Sequence, residues 1–198
     1  MPDNCQVIVD DFLTSLETLP ASPARDSYLA FVRAGGTDAL QRDGGPEHVT
    51  ASCFVFSPDF ERVLLCFHRK GQFWVQFGGH IEPQDSSIAD AALREAREES
   101  GIAELTLRSE AIVDLDRHDL HGGFACAAHW DVGFVAIAAA DVVFAASDES
   151  EDVRWFATNA LPGKVPSSFP ARIAAVLNAV TGSAADEPRD PEHGETRK

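Results

Sequence analysis

Gly78-Gly79-His80-Ile81-Glu82-Pro83 leads, through Gln84 to Leu93, into Arg94-Glu95-Ala96-Arg97-Glu98-Glu99-Ser100-Gly101-Ile102. From Ser86 to Ser100 the chain is dominated by Ala, Leu, Arg and Glu, all good helix formers, and Gly101 supplies a stop. Asp85, Ser86 and Ser87 are each suited to cap the start. On such a helix Glu95, Glu98 and Glu99 stand at i, i+3 and i+4, so their carboxylates share one face while Leu93 and Ala96 turn toward a core. Three like charges this close repel unless something neutralises them. A hard divalent cation such as Mg²⁺ does so directly, because it takes oxygen ligands and keeps waters while bridging to substrate phosphates. The plain alternative is a solvated acidic helix face. Two neighbours weigh against it: a Gly-Gly turn that permits close backbone approach, and Arg94, four residues before Glu98, which can orient a carboxylate.

Outward from this stretch the pattern is strand-rich. His48 to Phe56 and Arg62 to Phe67 read as strands joined by a turn at Ser57-Pro58-Asp59, and Val63 to Phe67 has no polar alternation, which predicts burial on both faces. Leu105 to Leu115, His129 to Ala138 and Asp152 to Phe156 read as further strands, and Ser168 to Val180 as a last helix. Residues Cys5 to Ala34 carry helical spacing interrupted by Pro20-Ala21-Ser22-Pro23, which predicts a helical hairpin. Beyond Ala185 no apolar residue occurs. The expected organisation is a helical extension over 1–46, a domain over 47–182 and a disordered acidic tail over 183–198.

The chain resembles the Nudix hydrolase family. That signature runs Gly, five residues, Glu, seven residues, then Arg-Glu-(apolar)-x-Glu-Glu-x-Gly-(apolar). Gly79 meets its first position and Arg94 to Ile102 its whole second half, so the box spans 79–102. Asp85 falls where the first Glu is expected, and eight residues instead of seven separate it from Arg94, a one-residue insertion. Phe77 and Gln84 also depart, standing where many members have Pro and Gly. Val49-Thr50-Ala51-Ser52, the strand Arg62 to Phe67 with His68-Arg69-Lys70, Trp74-Val75-Gln76 and Val153-Arg154-Trp155-Phe156 look like a bacterial subgroup, so the likeness covers about residues 48 to 161.

The resemblance implies an α/β/α sandwich around a mixed sheet. It also implies hydrolysis of a nucleoside diphosphate linked to another moiety X, by attack of water on phosphorus with Mg²⁺ or Mn²⁺ bound. Glu95, Glu98 and Glu99 take the metal-ligand positions, with the Gly79 carbonyl as a further ligand, and Arg94 the orienting one. The general base is either a box residue, Glu98 or Glu99, or a loop acid, Glu149 or Glu151. Arg69, Lys70 and the Gly78 backbone are the expected substrate contacts. A Nudix-fold sensor that binds a nucleotide without cutting it is the alternative.

Composition narrows the partners. In 198 residues, 32 acidic face 16 basic side chains, a charge of -16 that argues against nucleic-acid duplex binding. Seven acids lie between Glu82 and Glu104 and four between Asp148 and Asp152, two groups expected to converge on one site. No basic n-region precedes an apolar stretch and no apolar run is long enough for a bilayer, so a cytoplasmic protein with no membrane contact is expected. A homodimer is left open. Cys5, Cys53, Cys66 and Cys126 are scattered, with no zinc or disulfide spacing, and read as buried thiols. His118, His121 and His129, with Asp114, Asp116 and Asp131 nearby, have a spacing that fits no familiar zinc pattern, which argues against a second metal site. Trp74, Phe124, Trp130 and Phe134 were weighed for base stacking, with core packing preferred. Arg154 reads as a surface residue.

Overall fold

The computed structural model describes residues 4–120, 126–139, 141–147 and 150–182. Two helices open the chain. α1 (Asn4–Thr18) turns Ile8, Val9, Phe12 and Leu16 inward at helical spacing. α2 (Pro23–Gly35) begins where the Ser22 hydroxyl accepts from the Arg25 N–H at 3.2 Å, with Pro23 at a position where no N–H is needed. A 3-10 turn (Gly36–Leu40) leads to β1 (Glu47–Phe56), β2 (Arg62–His68), β3 (Phe73–Val75) and β4 (Phe77–His80). Then come α3 (Ile88–Ser100), β5 (Thr106–Leu107), β6 (Asp114–Asp119), β7 (Ala128–Ile137), β8 (Ser150–Ala157) and α4 (Phe169–Gly182).

The strands form one mixed sheet ordered β3-β2-β1-β7-β5, with β4 paired to β1, β6 to β7 and β8 to β2. β1 and β7 run parallel from Glu47↔Ala128 to Phe56↔Ile137, and the intervening chain makes the crossover that a parallel pair requires. Alternation sorts the side chains. Val49, Ala51, Cys53 and Val55 of β1 join the core under α1, α2 and α3, while Phe54 and Phe56 face Phe169, Ile173 and Val176 of α4. The sheet is thus covered on both faces, the expected α/β/α sandwich. The N-terminal helices are continuous with this core rather than apart from it. Val63, Leu64, Leu65 and Cys66 are all at most 1% exposed, as the unbroken apolar run requires.

One segment departs from expectation. Leu105 to Leu115 is not a single strand: β5 and β6 both lie along β7, at Thr106↔Ile137 and Asp114↔Gly133. Arg108 donates its N–H to Val135 and Val113 to Gly133, so the chain leaves the ladder between them. Ser109, Glu110 and Ala111 are exposed there, and nothing apolar holds them to the sheet. The expected tail, 183–198, lies outside the described residues. Among the described residues no helix is long and apolar enough to cross a membrane.

On the α4 face, past the phenylalanines, the sheet turns polar. Asp131 accepts from the hydroxyls of Thr50 (3.1 Å) and Ser52 (2.7 Å) and from the Gln76 amide (3.1 Å). Arg172 reaches in from α4 to Asp114 (2.8 Å), Asp116 (3.0 Å) and Asp131 (3.3 Å). These are the acids weighed with His118 as metal ligands. The structure gives them a guanidinium instead.

Candidate active site

α3 begins at Ser87, whose hydroxyl accepts from the Asp90 N–H at 3.0 Å, and ends at Gly101, whose φ of 70° is the left-handed conformation that glycine tolerates best. Ala89, Ala92 and Ala96 seat it on the sheet. That seating turns Glu95, Glu98 and Glu99 toward β4, which hydrogen-bonds to β1 through Ala51↔Gly79 and Ser52↔Gly78. The three carboxylates are graded in exposure. Glu99 is 5% exposed and accepts from the Gly78 N–H at 2.9 Å. The Glu95 side chain is 14% exposed and that of Glu98 62%.

Gly78 and Gly79 do not form the turn expected from the sequence: both lie within β4, paired with Ser52 and Ala51 of β1. A Cβ on Gly79 would lie 2.6 Å from the Glu95 carboxylate carbon, closer than any real side chain comes. Gly79→Ala must therefore displace the carboxylate, the far end of a flexible side chain. It is expected to leave the denaturation midpoint near that of the wild type and to weaken the apparent Mg²⁺ affinity in an activity titration.

Arg94 is the hub. Its Nε and Nη2 donate to the two oxygens of Asp85 at 2.8 and 3.0 Å, Nη2 also reaches the His80 carbonyl at 2.8 Å, and Nη1 reaches Glu95 at 2.9 Å and Glu98 at 3.4 Å. The Asp85 hydrogen bonds hold the guanidinium well above its ordinary pKa. Asp85 is 2% exposed, and its turn closes on itself: the Glu82 N–H donates to its carboxylate at 2.7 Å and its own N–H to the Glu82 carbonyl at 3.0 Å. The extra residue falls after this turn, between Ser86 and Leu93, and the shorter acid still meets Arg94 with both oxygens. Asn4 of α1 donates to the carbonyls of Asp85 (3.1 Å) and Pro83 (3.4 Å), so the N-terminal helix braces the same loop.

A family model described as NUDIX domain matches residues 46–177, about two thirds of the chain. The chain belongs to the Nudix hydrolase family. Its fold is similar to that of a NUDIX-family hydrolase from Clostridium perfringens, at 21% identity and a TM-score of 0.56, covering 67% of this chain and 97% of that one. It is similar to a C. elegans Ap4A hydrolase at 16% identity and a TM-score of 0.57, over 68% and 98% of the two chains. A UDP-X diphosphatase shares 14% identity at a TM-score of 0.54 and covers 92% of this chain and 97% of its own. Residues 47–198 alone cannot supply 92%, so that likeness extends into the N-terminal helices. No curated protein sequence matches the chain.

Arg69 and Lys70 stand on the turn between β2 and β3, ten and nine residues before Gly79. Arg69 donates to the Ser150 carbonyl at 3.4 Å. Glu149 lies outside the described residues, as do His121 and Phe124. Glu151 accepts from Gln72 at 2.9 Å and Asp152 pairs with Arg154, both on the β8 side of β2, so the described members of the second acidic group are engaged away from α3. Trp74 packs edge-on against Phe67 and Phe156, Trp130 stacks on Phe31 at 4.4 Å, and Phe134 is 2% exposed: core roles in each case. Arg154 is exposed.

The histidine reading needs correcting. His118 pairs with Asp116 at 3.1 Å, whereas His129 gathers with His48, His80 and Cys126. Local spacing concealed this group, because its members come from β1, β4, the start of β7 and Cys126 two residues before it. The one available signal was three histidines at the ends of strands. Cys126 accordingly does not belong with the buried thiols: it is half-buried, while Cys53 and Cys66 are buried in the core.

Proposed function

We propose that this Nudix hydrolase cleaves the diphosphate bond of a nucleoside diphosphate linked to a second moiety, with Mg²⁺ or Mn²⁺ held by Glu95, Glu98, Glu99 and the Gly79 carbonyl. The observation that carries the reading is the packing of the Glu95 carboxylate against the backbone of Gly79. It puts an all-oxygen donor set along one helix face and the end of β4, which suits a hard cation. When bound, such an ion neutralises charge developing on the diphosphate and acidifies a bound water.

The chain's own residues do the rest. Arg94, fixed by Asp85, holds Glu95 and limits how far Glu98 can swing. The Gly78 N–H fixes one oxygen of Glu99. Glu98, the most exposed of the three, is free to approach the water that attacks phosphorus, so Glu98 or Glu99 is the base we favour over Glu149. Arg69 and Lys70 complete the proposal as substrate contacts at the far end of the β3–β4 path, the positive charge in an acidic molecule. We place the protein in the cytoplasm, a reading supported by four cysteines that are all free. The extension 1–46 we assign to bracing the box loop through Asn4.

The test is a panel of nucleotide sugars, ADP-ribose, dinucleoside polyphosphates and (d)NTPs, assayed with Mg²⁺ and with Mn²⁺. Cleavage of at least one at its diphosphate is expected. Tight binding of one with cleavage of none would replace this reading by that of a nucleotide sensor.

A further inference from the structure

On the α4 side of the sheet, beyond the Arg172 network, a row of imidazoles crosses three strands. His48 of β1 lies beside His129 of β7, its direct partner in the parallel ladder, and His80 closes β4 opposite Thr50, two residues further along β1. The ring centroids of His48 are 5.0 Å from both His80 and His129, and the latter two are 5.4 Å apart. Cys126 stands two residues before β7 begins. One ligand atom from each of the four lies within 4.8 Å of every other.

The row lacks the hydrogen bonds that buried imidazoles need. His48 is 0% exposed, and neither of its ring nitrogens has a partner; Nε2 of His80 and Nε2 of His129 are buried and unpartnered too. Each such nitrogen costs about 1–3 kcal/mol, so three clustered imidazoles that each carry an unpartnered buried nitrogen make a costly way to fill a core. Two apolar residues would serve packing better. A cation at the point of convergence accepts electron pairs from imidazole nitrogens and removes the cost.

We propose that His48, His80, His129 and Cys126 bind a zinc ion. Three nitrogens and one sulfur match its preference for borderline and soft donors, which separates this group from the all-oxygen set on α3. In a tetrahedral zinc site the ligand atoms are roughly 3.3–3.6 Å apart, so donors already within 4.8 Å close on the ion by small rotations. The Cys126 thiol gives up its proton to solvent as its sulfur bonds the metal. Four protein ligands leave no open position, so the site is structural.

Its place in the fold gives it a task. It joins β1, β4 and β7, and Cys126 ties the segment entering β7 to the sheet. His80 follows Gly79, and its carbonyl accepts from Arg94. The ion therefore clamps the end of β4 next to Gly79.

The test uses the full-length protein purified without chelator. Metal analysis after desalting is expected to find about one zinc per chain. Co²⁺ introduced in place of zinc should give intense visible bands of a tetrahedral ion and a near-ultraviolet thiolate-to-cobalt band. Cobalt on oxygen ligands of α3 gives neither. Cys126→Ser should lose the thiolate band and retain less zinc, and Glu99→Gln should keep both. Folded wild-type protein that holds no zinc and shows no thiolate band with Co²⁺ would overturn the proposal, as would an unchanged band in Cys126→Ser. Neither result bears on hydrolysis.

Discussion

Glu99→Gln is expected to lose at least about 10²–10³ in kcat, the equivalent of roughly 3–4 kcal/mol, while its far-ultraviolet circular dichroism and melting temperature stay near those of the wild type. The substitution keeps the shape of the side chain, and the amide oxygen can still accept from the Gly78 N–H that Glu99 engages at 2.9 Å. What disappears is the anionic charge at the most buried of the three box carboxylates, 5% exposed. Because that charge serves developing charge in the reaction more than ground-state contact, the loss should fall on kcat more than on KM. Near wild-type turnover by the variant with Mg²⁺ present would sink the assignment of Glu99.

That site was legible in the sequence because its geometry is local. A helix places residues three and four apart on one face whatever surrounds it, so the grouping of Glu95, Glu98 and Glu99 and the reach of Arg94 to Glu98 follow from spacing. The double-sided burial of Val63 to Cys66 is legible for the same reason. Asp85 is a harder case. Counting showed that an acid of the wrong length stood one residue too early, but only the closed turn from Glu82 to Asp85 shows how it still reaches Arg94 with both oxygens.

The illegible parts are those created by distant pairing. His48 and His129 are 81 positions apart and become neighbours through the parallel β1–β7 register, which depends on a crossover no local pattern specifies. The split of Leu105 to Leu115 is set by where β7 accepts an edge strand, not by the apolar content of the segment. The excess of acid had the same blind spot. Asp114, Asp116 and Asp131 looked available to a metal until α4 brought Arg172 to them.

That guanidinium supports the second large effect. Arg172→Met, which keeps the length of the stem, is expected to lower stability by about 3–5 kcal/mol at pH 7, because it strands carboxylates that are mostly buried. The pH dependence should identify the cause. Even with Arg172 present, burial holds the Asp114 carboxyl above its ordinary range, against the pull of the guanidinium. Burial also works to raise Asp116, but the His118 hydrogen bond and Arg172 outweigh it and keep it low. Without Arg172 these two and Asp131 face one another, with Tyr28 bonded to the Asp131 carbonyl and His118 as the only remaining titratable donor among the groups described. The pKa values of Asp114 and Asp116 in the folded state then rise above those in the unfolded chain, near 4. A carboxyl raised on folding contributes stability below its unfolded pKa and loses it as pH rises through the folded one, since the native state binds the extra proton. The deficit of Arg172→Met relative to wild type should therefore be largest at pH 7 and shrink toward pH 4–5, as measured by urea midpoints across that range. Arg172→Lys, which keeps the charge, should show a smaller and flatter deficit. A deficit for Arg172→Met that does not change with pH would mean that Arg172 acts through packing on Phe54, over which it lies at 5.6 Å, and not through its charge.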